Sequence, residues 1–515
     1  MAFVLIGFMG AGKSSAAAEL ARTLGGKTLD SDQLIQKRLG HSIAEEFSRN
    51  GEEAFRALEE ELVCELLEGA DARTVLALGG GSVLSARVRA ALRDHTTVLL
   101  DVDSSTCWER VSSPHGAALR PLVRDREQFI ALHRSRQELY ARLADAVLVA
   151  PARGTIVRAA PSLAKLAGAA AGTRMLWARS SSAEYPVYVA PGLLRDGAAL
   201  ALWPLERSRS RAFLVSDENV LPLHGGQLGE LAGSVAIEPG EQHKMLADAE
   251  RVWLALLEAG VTRADHIVAL GGGVVGDLAG FCAATYQRGV PVVQVPTTLV
   301  AQADSAYGGK TGVDLPAAKN YVGLYHQPAG VLVDPDTLST LPPEELSAGW
   351  VEVLKTALIA GGGLWEAVAA GREVDEQMIL ACARTKLQVV AADERDAGAR
   401  QVLNLGHTVG HAIESSAGYG RYRHGEAVGL GLLAALRLSG QEALRAEVRE
   451  LLLARGLPVE LAGAPAEKVL SSISHDKKRL GSDVPFVLVS APGTVEHGRI
   501  VAPGELRAAV QELVA

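Results

Sequence analysis

Cysteine is scarce in this chain: four residues in 515, at Cys64, Cys107, Cys282 and Cys382, far apart and with no CxxC pair. That spacing leaves no disulfide framework, and reduced, buried thiols are expected. Positive charge is not in surplus either. A net charge of −9 argues against nucleic acid as the main partner, although local basic pockets can still hold small anions. No uninterrupted apolar run is long enough to span a membrane, because the longest, from Ile267 to Val300, is broken by Asp277, Gln287 and Arg288. The apolar stretch Ala2 to Ile6 has no basic region before it and no cleavage site after it. It reads as a strand and not a secretory signal, so the cytoplasm is the expected address. What remains is an ordinary globular composition, 48% apolar and 22% charged. Its length exceeds what one hydrophobic core organises, so two or three domains are expected.

Short apolar runs at Phe3–Ile6, Val75–Leu78, Val98–Val102 and Ala146–Val149 alternate with longer amphipathic ones. That rhythm predicts βαβ units and a parallel sheet over residues 1–158. Residues 159–174, rich in Ala, Gly and Ser, read as a partly helical linker. A second α/β rhythm fills 175–335, with strand-like runs at Val187–Val189, Ala212–Val215, Ile267–Leu270, Val292–Val295 and Val331–Val333. Helical periodicity dominates 336–515. The passages VLALGGGSV and IVALGGGVVGD are alike locally but have unlike flanks, so they are two uses of one loop device and not a duplication.

Gly7 to Ser14 (GFMGAGKS) fits the phosphate-binding loop G-x-x-x-x-G-K-[ST], between an apolar strand and a helix-forming run. Glycines let backbone N–H groups curl round phosphates at a helix N-terminus. Gly10, Ala11, Gly12, Lys13, Ser14 and Ser15 would form the cradle for ATP, with Lys13 on the β/γ-phosphates and Ser14 on Mg2+. Further along stand Asp30-Ser31-Asp32, Arg56 in GEEAFR, the Gly79–Gly81 triplet, Arg120 in RPL, and Arg136 and Tyr140. Several arginines with one carboxylate suit a small hydroxylated acid, since Arg forks a carboxylate while Asp takes hydroxyls. Any one of these arginines alone would be a solvated surface charge.

Together, GxxGAGKS, DSD, GExxFRxxE, GGG, RPL and RxxLY resemble shikimate kinase over residues 2–157. The resemblance implies that Asp32, Arg56, Gly80 and Arg136 bind shikimate, with Asp32 as the base beside the 3-hydroxyl. It also implies that Arg120 comes from a lid to stabilise the transferring phosphoryl group, and that Asp30 helps hold Mg2+ through water. The helix reads RQELY where that family usually has a proline before Leu-Tyr. The alternative is another small-metabolite kinase such as a gluconate kinase, against which the triple glycine and the DSD–FR–R set argue.

In the second half, Asn404 to His411 (NLGHTVGH) is followed by His424-Gly425-Glu426. His407 and His411 are four residues apart and share a helix face, a spacing that offers two imidazoles to one metal. Glu352 in GWVEVLK is the carboxylate candidate. Spacing leaves open which three of Glu352, His407, His411 and His424 bind metal, and the fourth could serve as a base. Gly271 to Asp277 (GGGVVGD) follows a strand and reads as a diphosphate loop, and Pro296-Thr297-Thr298 ends the next strand. The cations Arg288, Lys310, Lys319 (beside Asn320), Lys355, Arg400, Lys477 and Lys478 suggest a doubly anionic substrate, although half of them could be solvated surface charges.

GGGVVGD, PTT, ADSAYGGKTGV, AKNYVG, LxTLP, EVLK, NLGHTVGH and HGEAV resemble 3-dehydroquinate synthase in order and spacing over residues 175–500. That resemblance implies Glu352, His407 and His424 as ligands of zinc or cobalt, with His411 as a proton-transfer group. It places NAD against Asp217, Glu241, Lys244, Gly272, Gly273, Asp277, Thr297, Thr298 and Thr340. Arg288, Asp304, Lys310, Lys319, Asn320, Lys355, Arg400, Asn404 and Lys477 would line the substrate, with Lys310 and Lys355 closest to the chemistry. The implied reaction converts 3-deoxy-D-arabino-heptulosonate 7-phosphate to 3-dehydroquinate and phosphate. Its C5 hydroxyl is oxidised and later restored through a catalytic NAD. A homodimer through this half is a further implication. Thr356 and Val409 depart from that family's usual residues without removing a polar group. The rivals are a metal-dependent polyol dehydrogenase, which lacks the Lys310–Lys355–Arg400 set, and a catalytically dead scaffold module.

The expected fold class is therefore α/β: a P-loop kinase domain with a parallel sheet, a Rossmann-like nucleotide-binding domain, and a mostly helical metal-binding domain.

Overall fold

A computed structural model describes residues 1–113, 125–316, 318–418, 420–474 and 484–514. Two compact units emerge, Met1–Arg179 with Glu184–Tyr188, and Ser180–Ala183 with Val189–Ala515. No helix among the described residues is long and apolar enough to cross a membrane.

In the first unit the strands are β1 (Phe3–Ile6), β2 (Lys27–Asp30), β3 (Thr74–Ala77), β4 (Thr96–Asp101), β5 (Ala146–Val149), β6 (Arg174–Arg179) and β7 (Glu184–Val189). They lie in the order β2-β3-β1-β4-β5-β6-β7, and neighbours from β2 to β6 run parallel. Strands β1, β3, β4 and β5 are buried along their whole length, as expected when helices cover both faces. Parallel register puts Leu5 and Asp30 both opposite Ala77, so the loops leaving β1, β2 and β3 gather at one edge.

The segment 159–174, expected as a linker, is instead a packed part of this unit. Helix Thr155–Ala167 buries Ile156, Ala159, Ala160, Leu163 and Leu166, and β6 then pairs with β5. Those apolar residues recur every three to four positions, a helical stripe that an Ala-rich composition disguises. The expected start of the second part at residue 175 likewise shifts, since β6 and nearly all of β7 belong with the first sheet.

In the second unit the strands are β8 (Ala212–Asp217), β9 (Gly233–Ile237), β10 (His266–Gly271), β11 (Val292–Pro296), β12 (Lys310–Leu315), β13 (Ala318–Tyr325), β14 (Gly330–Val333), β15 (Pro485–Ala491) and β16 (Thr494–Ile500). Five form a parallel sheet in the order β14-β11-β10-β8-β9. The strand order reverses between β8 and β10, which is where a doubly wound sheet opens a crevice at its strand C-termini. β12 and β13 make a separate antiparallel hairpin. Helices dominate from Pro343 to Ser474. Helix Pro343–Ala360 is buried on every face from Ala348 to Ile359 and forms the centre of that region.

Candidate functional sites

At the crowded edge of the first sheet, the loop after β1 turns through left-handed Gly10 (φ 81°) and Gly12 (φ 92°) into helix Lys13–Leu24. Such φ values suit glycine, and they aim backbone N–H groups into the loop. Lys13 Nζ donates to the carbonyls of Gly7 (2.9 Å) and Phe8 (3.1 Å), and Ser14 Oγ donates to Asp30 Oδ2 at 2.5 Å. Ser15 is exposed beside them.

The Gly79–Gly81 turn after β3 faces this loop. A Cβ on Gly79 would stand 2.6 Å from Asp32 Oδ1, and one on Gly81 would stand 2.2 Å from Arg56 Nη1. Arg136 Nη1 (3.3 Å) and Tyr140 Oη (2.5 Å) both donate to the Gly80 carbonyl. Asp32, Arg56, Gly80 and Arg136 are thus brought together beside the phosphate loop. The buried Glu59, the last residue of the GExxFRxxE motif, pairs with Arg56 (2.5 Å) and accepts from Ser82 Oγ (2.7 Å). Arg120 lies outside the described residues.

In the second unit, Gly271–Gly273 leaves β10 at the crevice and opens helix Gly273–Thr285. The loop is shaped by close approach: a Cβ on Gly272 would meet Thr298 Cγ2 at 2.9 Å. Thr297 N–H donates to the Gly271 carbonyl (3.0 Å), and Asp217 ends β8 alongside. Lys244 sits among carboxylates, with Glu241 at 2.8 Å and Asp277 at 3.2 Å, and donates to Asn320 Oδ1 at 2.7 Å. Burial opposes its charge, but Asp277, Glu241 and Asp314 outweigh that and raise its pKa. Asp314 is a further carboxylate here that the motifs did not flag. Thr340 Oγ1 is 3.2 Å from His224 Nε2.

Three helices build the histidine cluster: Pro343–Ala360 with Glu352 and Lys355, His407–Ala417 with His407 and His411, and His424–Leu438 with His424. Glycines set their spacing. A Cβ on Gly425 would stand 1.8 Å from the Ala348 carbonyl oxygen. The three histidines offer ring nitrogens that all lie within 4.8 Å of one another, with His411 the most exposed of the three. Glu352 Oε1 approaches His424 Nε2 at 3.4 Å and His407 Nε2 at 3.7 Å. It is buried, its other oxygen Oε2 stands 2.5 Å from Lys355 Nζ, and Oε1 is the atom turned to the two imidazoles, a placement from which it can share a cation with them. His407 Nδ1 lies 3.1 Å from the Leu405 carbonyl, which fixes a tautomer that turns Nε2 to the cluster.

Without a cation the two imidazoles facing Glu352 are driven apart. Burial, then Lys355, pushes His407 down to about 3. Burial also works against charge on His424, but Glu352 and Glu414 override it and raise His424 to about 10. An imidazole donor set with one carboxylate fits a divalent ion of the zinc or cobalt type.

Two cations are held against this cluster, Lys355 at Glu352 and Lys319 at Glu414 beside His424. Lys355 Nζ meets Glu352 at 2.5 Å and Asp304 Oδ1 at 3.7 Å. Lys319 pairs with Glu414 (3.1 Å), and Lys310 pairs with Asp396 (2.6 Å). Lys386, missing from the sequence reading, donates to the Asp304 carbonyl (2.7 Å) and meets Asp304 Oδ2 at 3.0 Å. Its burial pushes it down to about 8 against the pull of Asp304. The available signal was a lone Lys on the apolar face of helix Glu376–Ala392.

Arg400 is almost fully buried and gives its terminal nitrogens to the carbonyls of Glu394 (2.5 Å) and Gly308 (3.0 Å), so it braces those turns. Asn404 ends the 3-10 turn that leads to His407. Arg288 is exposed after helix Gly273–Thr285 and makes no hydrogen bond or ion pair among the described residues, so it is not drawn into the cluster. Lys477 and Lys478 lie outside those residues.

The two halves of the chain match different families. Residues 9–157 match the shikimate kinase family, residues 234–348 the 3-dehydroquinate synthase N-terminal family, and residues 349–479 its C-terminal counterpart. A 3-dehydroquinate synthase of Halorhodospira halophila is 41% identical over 358 residues, covering 66% of this chain and 100% of that protein. One from Symbiobacterium thermophilum is 42% identical over 352 residues, covering 64% of this chain and 98% of the relative. Among solved structures, 2-epi-5-epi-valiolone synthase from Streptomyces hygroscopicus subsp. jinggangensis, with NAD+ and Zn2+ bound, aligns with a TM-score of 0.58. It is 25% identical and covers 64% of this chain and 96% of its own. The chain therefore belongs to the 3-dehydroquinate synthase family and carries a shikimate kinase domain ahead of it, a bifunctional enzyme of two shikimate-pathway reactions.

Proposed function

We propose that Glu352, His407 and His424 hold a zinc or cobalt ion, that Gly272 and Gly273 cradle the diphosphate of NAD, and that His411 moves protons at the cluster's exposed side. The observation that carries this reading is the trio of imidazoles within 4.8 Å, turned on a buried carboxylate. Asp217, Glu241, Lys244, Asp277, Thr297, Thr298 and Thr340 complete the NAD site. Held there, NAD would supply a reversible hydride acceptor for the substrate's C5 carbon, and the ion a Lewis acid for the oxygen on it. Lys310, Lys319, Asn320, Lys355, Lys386 and Lys477 hold the substrate's phosphate and carboxylate through the sequence of steps, which fixes the reacting carbons relative to His411. Asp304 keeps Lys355 and Lys386 charged and aimed.

In the kinase unit, Lys13 and Ser14 hold the phosphates and Mg2+ of ATP. Arg56, Arg136 and Gly80 bind shikimate, Asp32 takes the 3-hydroxyl proton on a carboxylate oxygen, and Arg120 stabilises the transferring group. The four buried, unpaired cysteines support a cytoplasmic location. Exposed Leu254, Leu257, Tyr321, Leu324 and Tyr325 support self-association through the second unit.

The test is turnover by the purified chain. Phosphate release from 3-deoxy-D-arabino-heptulosonate 7-phosphate is followed with and without a zinc-selective chelator under excess Mg2+, with shikimate-dependent ADP formation alongside. Both activities are expected, and only phosphate release is lost to the chelator. Chelator-resistant phosphate release overturns the metal assignment, and NADH accumulation with simple polyols overturns the anion-site assignment.

A further inference from the structure

Glu414 has no role in the assignments above, yet it touches two of their members. It lies on helix His407–Ala417, seven residues after His407, and is 4% exposed. Its Oε1 accepts from Lys319 Nζ at 3.1 Å, and its Oε2 faces His424 Nδ1 at 3.4 Å. Lys319 belongs to β13, next to Asn320, whose left-handed backbone (φ 54°) is held by Asp314 Oδ1 accepting its N–H at 2.6 Å. Asn320 in turn accepts from Lys244 at 2.7 Å. Two successive side chains of the hairpin thus reach different places, one the histidine helix and the other the nucleotide loop.

We infer that Glu414 is a positioning residue with two simultaneous duties: it orients His424 through Nδ1 so that Nε2 faces the ion, and it fixes the Lys319 ammonium for the substrate's anionic group. A carboxylate can do both because each oxygen serves one donor. An amide of the same size has a single acceptor oxygen and can keep only one of the two bonds. A residue that merely fills space would not register that difference. The inference rests on His424 being a ligand of the ion.

The experiment uses the full chain with Zn2+ and Co2+ as probes. It measures metal affinity by chelator competition, the visible absorption of the Co2+ form, and KM for the sugar-acid phosphate. Glu414→Gln is expected to weaken metal binding by about tenfold or more, to change the Co2+ spectrum, and to raise KM. Lys319→Met is expected to raise KM while leaving metal affinity as it was.

Metal affinity of Glu414→Gln within about twofold of the parent, with KM unchanged, overturns the inference. So does an equal loss of metal affinity in Lys319→Met. If the parent chain itself binds neither ion, the metal reading has failed instead, and the two failures stay distinct. Should Glu414→Gln not fold, as judged by its urea transition, Glu414→Asp is measured in the same way. There weakened metal binding supports the inference and unchanged binding overturns it.

Discussion

Gly431→Ala alters no polar group, yet it should disable the synthase. Gly431 lies where helix His424–Leu438 passes the start of helix His407–Ala417. A Cβ there would stand 1.9 Å from the Gly406 carbonyl oxygen and 2.9 Å from Gly410 N. Both obstacles are backbone, so no rotamer relieves the clash. Ordinary contact begins near 3.4 Å, so the helices must part by about 1.5 Å at this point. Overpacking of this kind costs about 1–3 kcal/mol of stability.

The effect on the site is larger than that figure suggests. The His407 and His424 ring centroids are 5.3 Å apart, and these two helices set that distance. Zinc–nitrogen bonds are about 2.0–2.1 Å with a tolerance of about 0.2 Å, well below the imposed displacement. Metal affinity should therefore fall by at least about tenfold, which is about 1.4 kcal/mol. Chelator competition measures it, and a urea transition confirms folding. Kinase turnover by the same chain is expected to be unchanged. A folded Gly431→Ala protein that keeps the parent metal affinity and synthase rate would refute the idea that this glycine seam sets ligand geometry.

Other outcomes follow from the same geometry. Lys13→Met should cut shikimate-dependent ADP formation by about 100-fold or more while phosphate release by the synthase is unchanged. Lys355→Met strips Glu352 of its buried cation, while Asp304 keeps Lys386, and should cost the metal-free chain about 3–5 kcal/mol in urea unfolding, with a smaller loss once metal is loaded. Lys386, held down to about 8 from an ordinary 10.5, loses its proton as pH rises through 8, so KM for the anionic substrate should climb there. A flat KM between pH 7 and about 9.5 would remove it from the anion site. Because its folded pKa is depressed, the unfolded chain holds the extra proton between about 8 and 10.5, and Lys386's contribution to stability rises with pH across that window.

Much of this was legible in the sequence because the relevant features are local. A strand, a glycine loop and a helix are contiguous, and fully buried parallel strands stand out as apolar runs, so β1, β4, β5, β10, β11 and β14 were all anticipated. The edge strands were not. β2 (KTLD) is partly exposed and carries no apolar run, and β9 (GSVAI) is partly exposed with only a short one. Composition misled at 159–174, where alanine hid a helical stripe. In the sites, histidines and glycines announce themselves by spacing. Asp314, Lys386 and Glu414 do not, because their importance lies in partners tens of residues away, such as Lys386 with Asp304. Arg400 shows the reverse: its position in the sequence suggested an anion ligand, while its terminal nitrogens are spent on main-chain carbonyls.

The opposed imidazoles carry one more consequence. His407 and His424 face the same carboxylate oxygen at 3.7 and 3.4 Å, yet His407 is pushed down to about 3 and His424 up to about 10. The difference arises behind the rings. His407 turns its far nitrogen to a neutral carbonyl and lies near Lys355, whereas His424 has Glu414 at its far nitrogen. At neutral pH the metal-free cluster therefore holds one imidazolium beside Glu352. An incoming divalent ion needs that nitrogen's lone pair, so binding must expel one proton. His407 is already neutral above about 3 and expels none. Apparent metal affinity should then rise about tenfold per pH unit across the neutral range, from His424 alone, and level off towards pH 10. Calorimetric titration in two buffers of different ionisation enthalpy counts the protons released. About one per metal is expected, whereas none would mean that His424 is neutral before the ion arrives, leaving Glu352 and Glu414 unable to hold its charge.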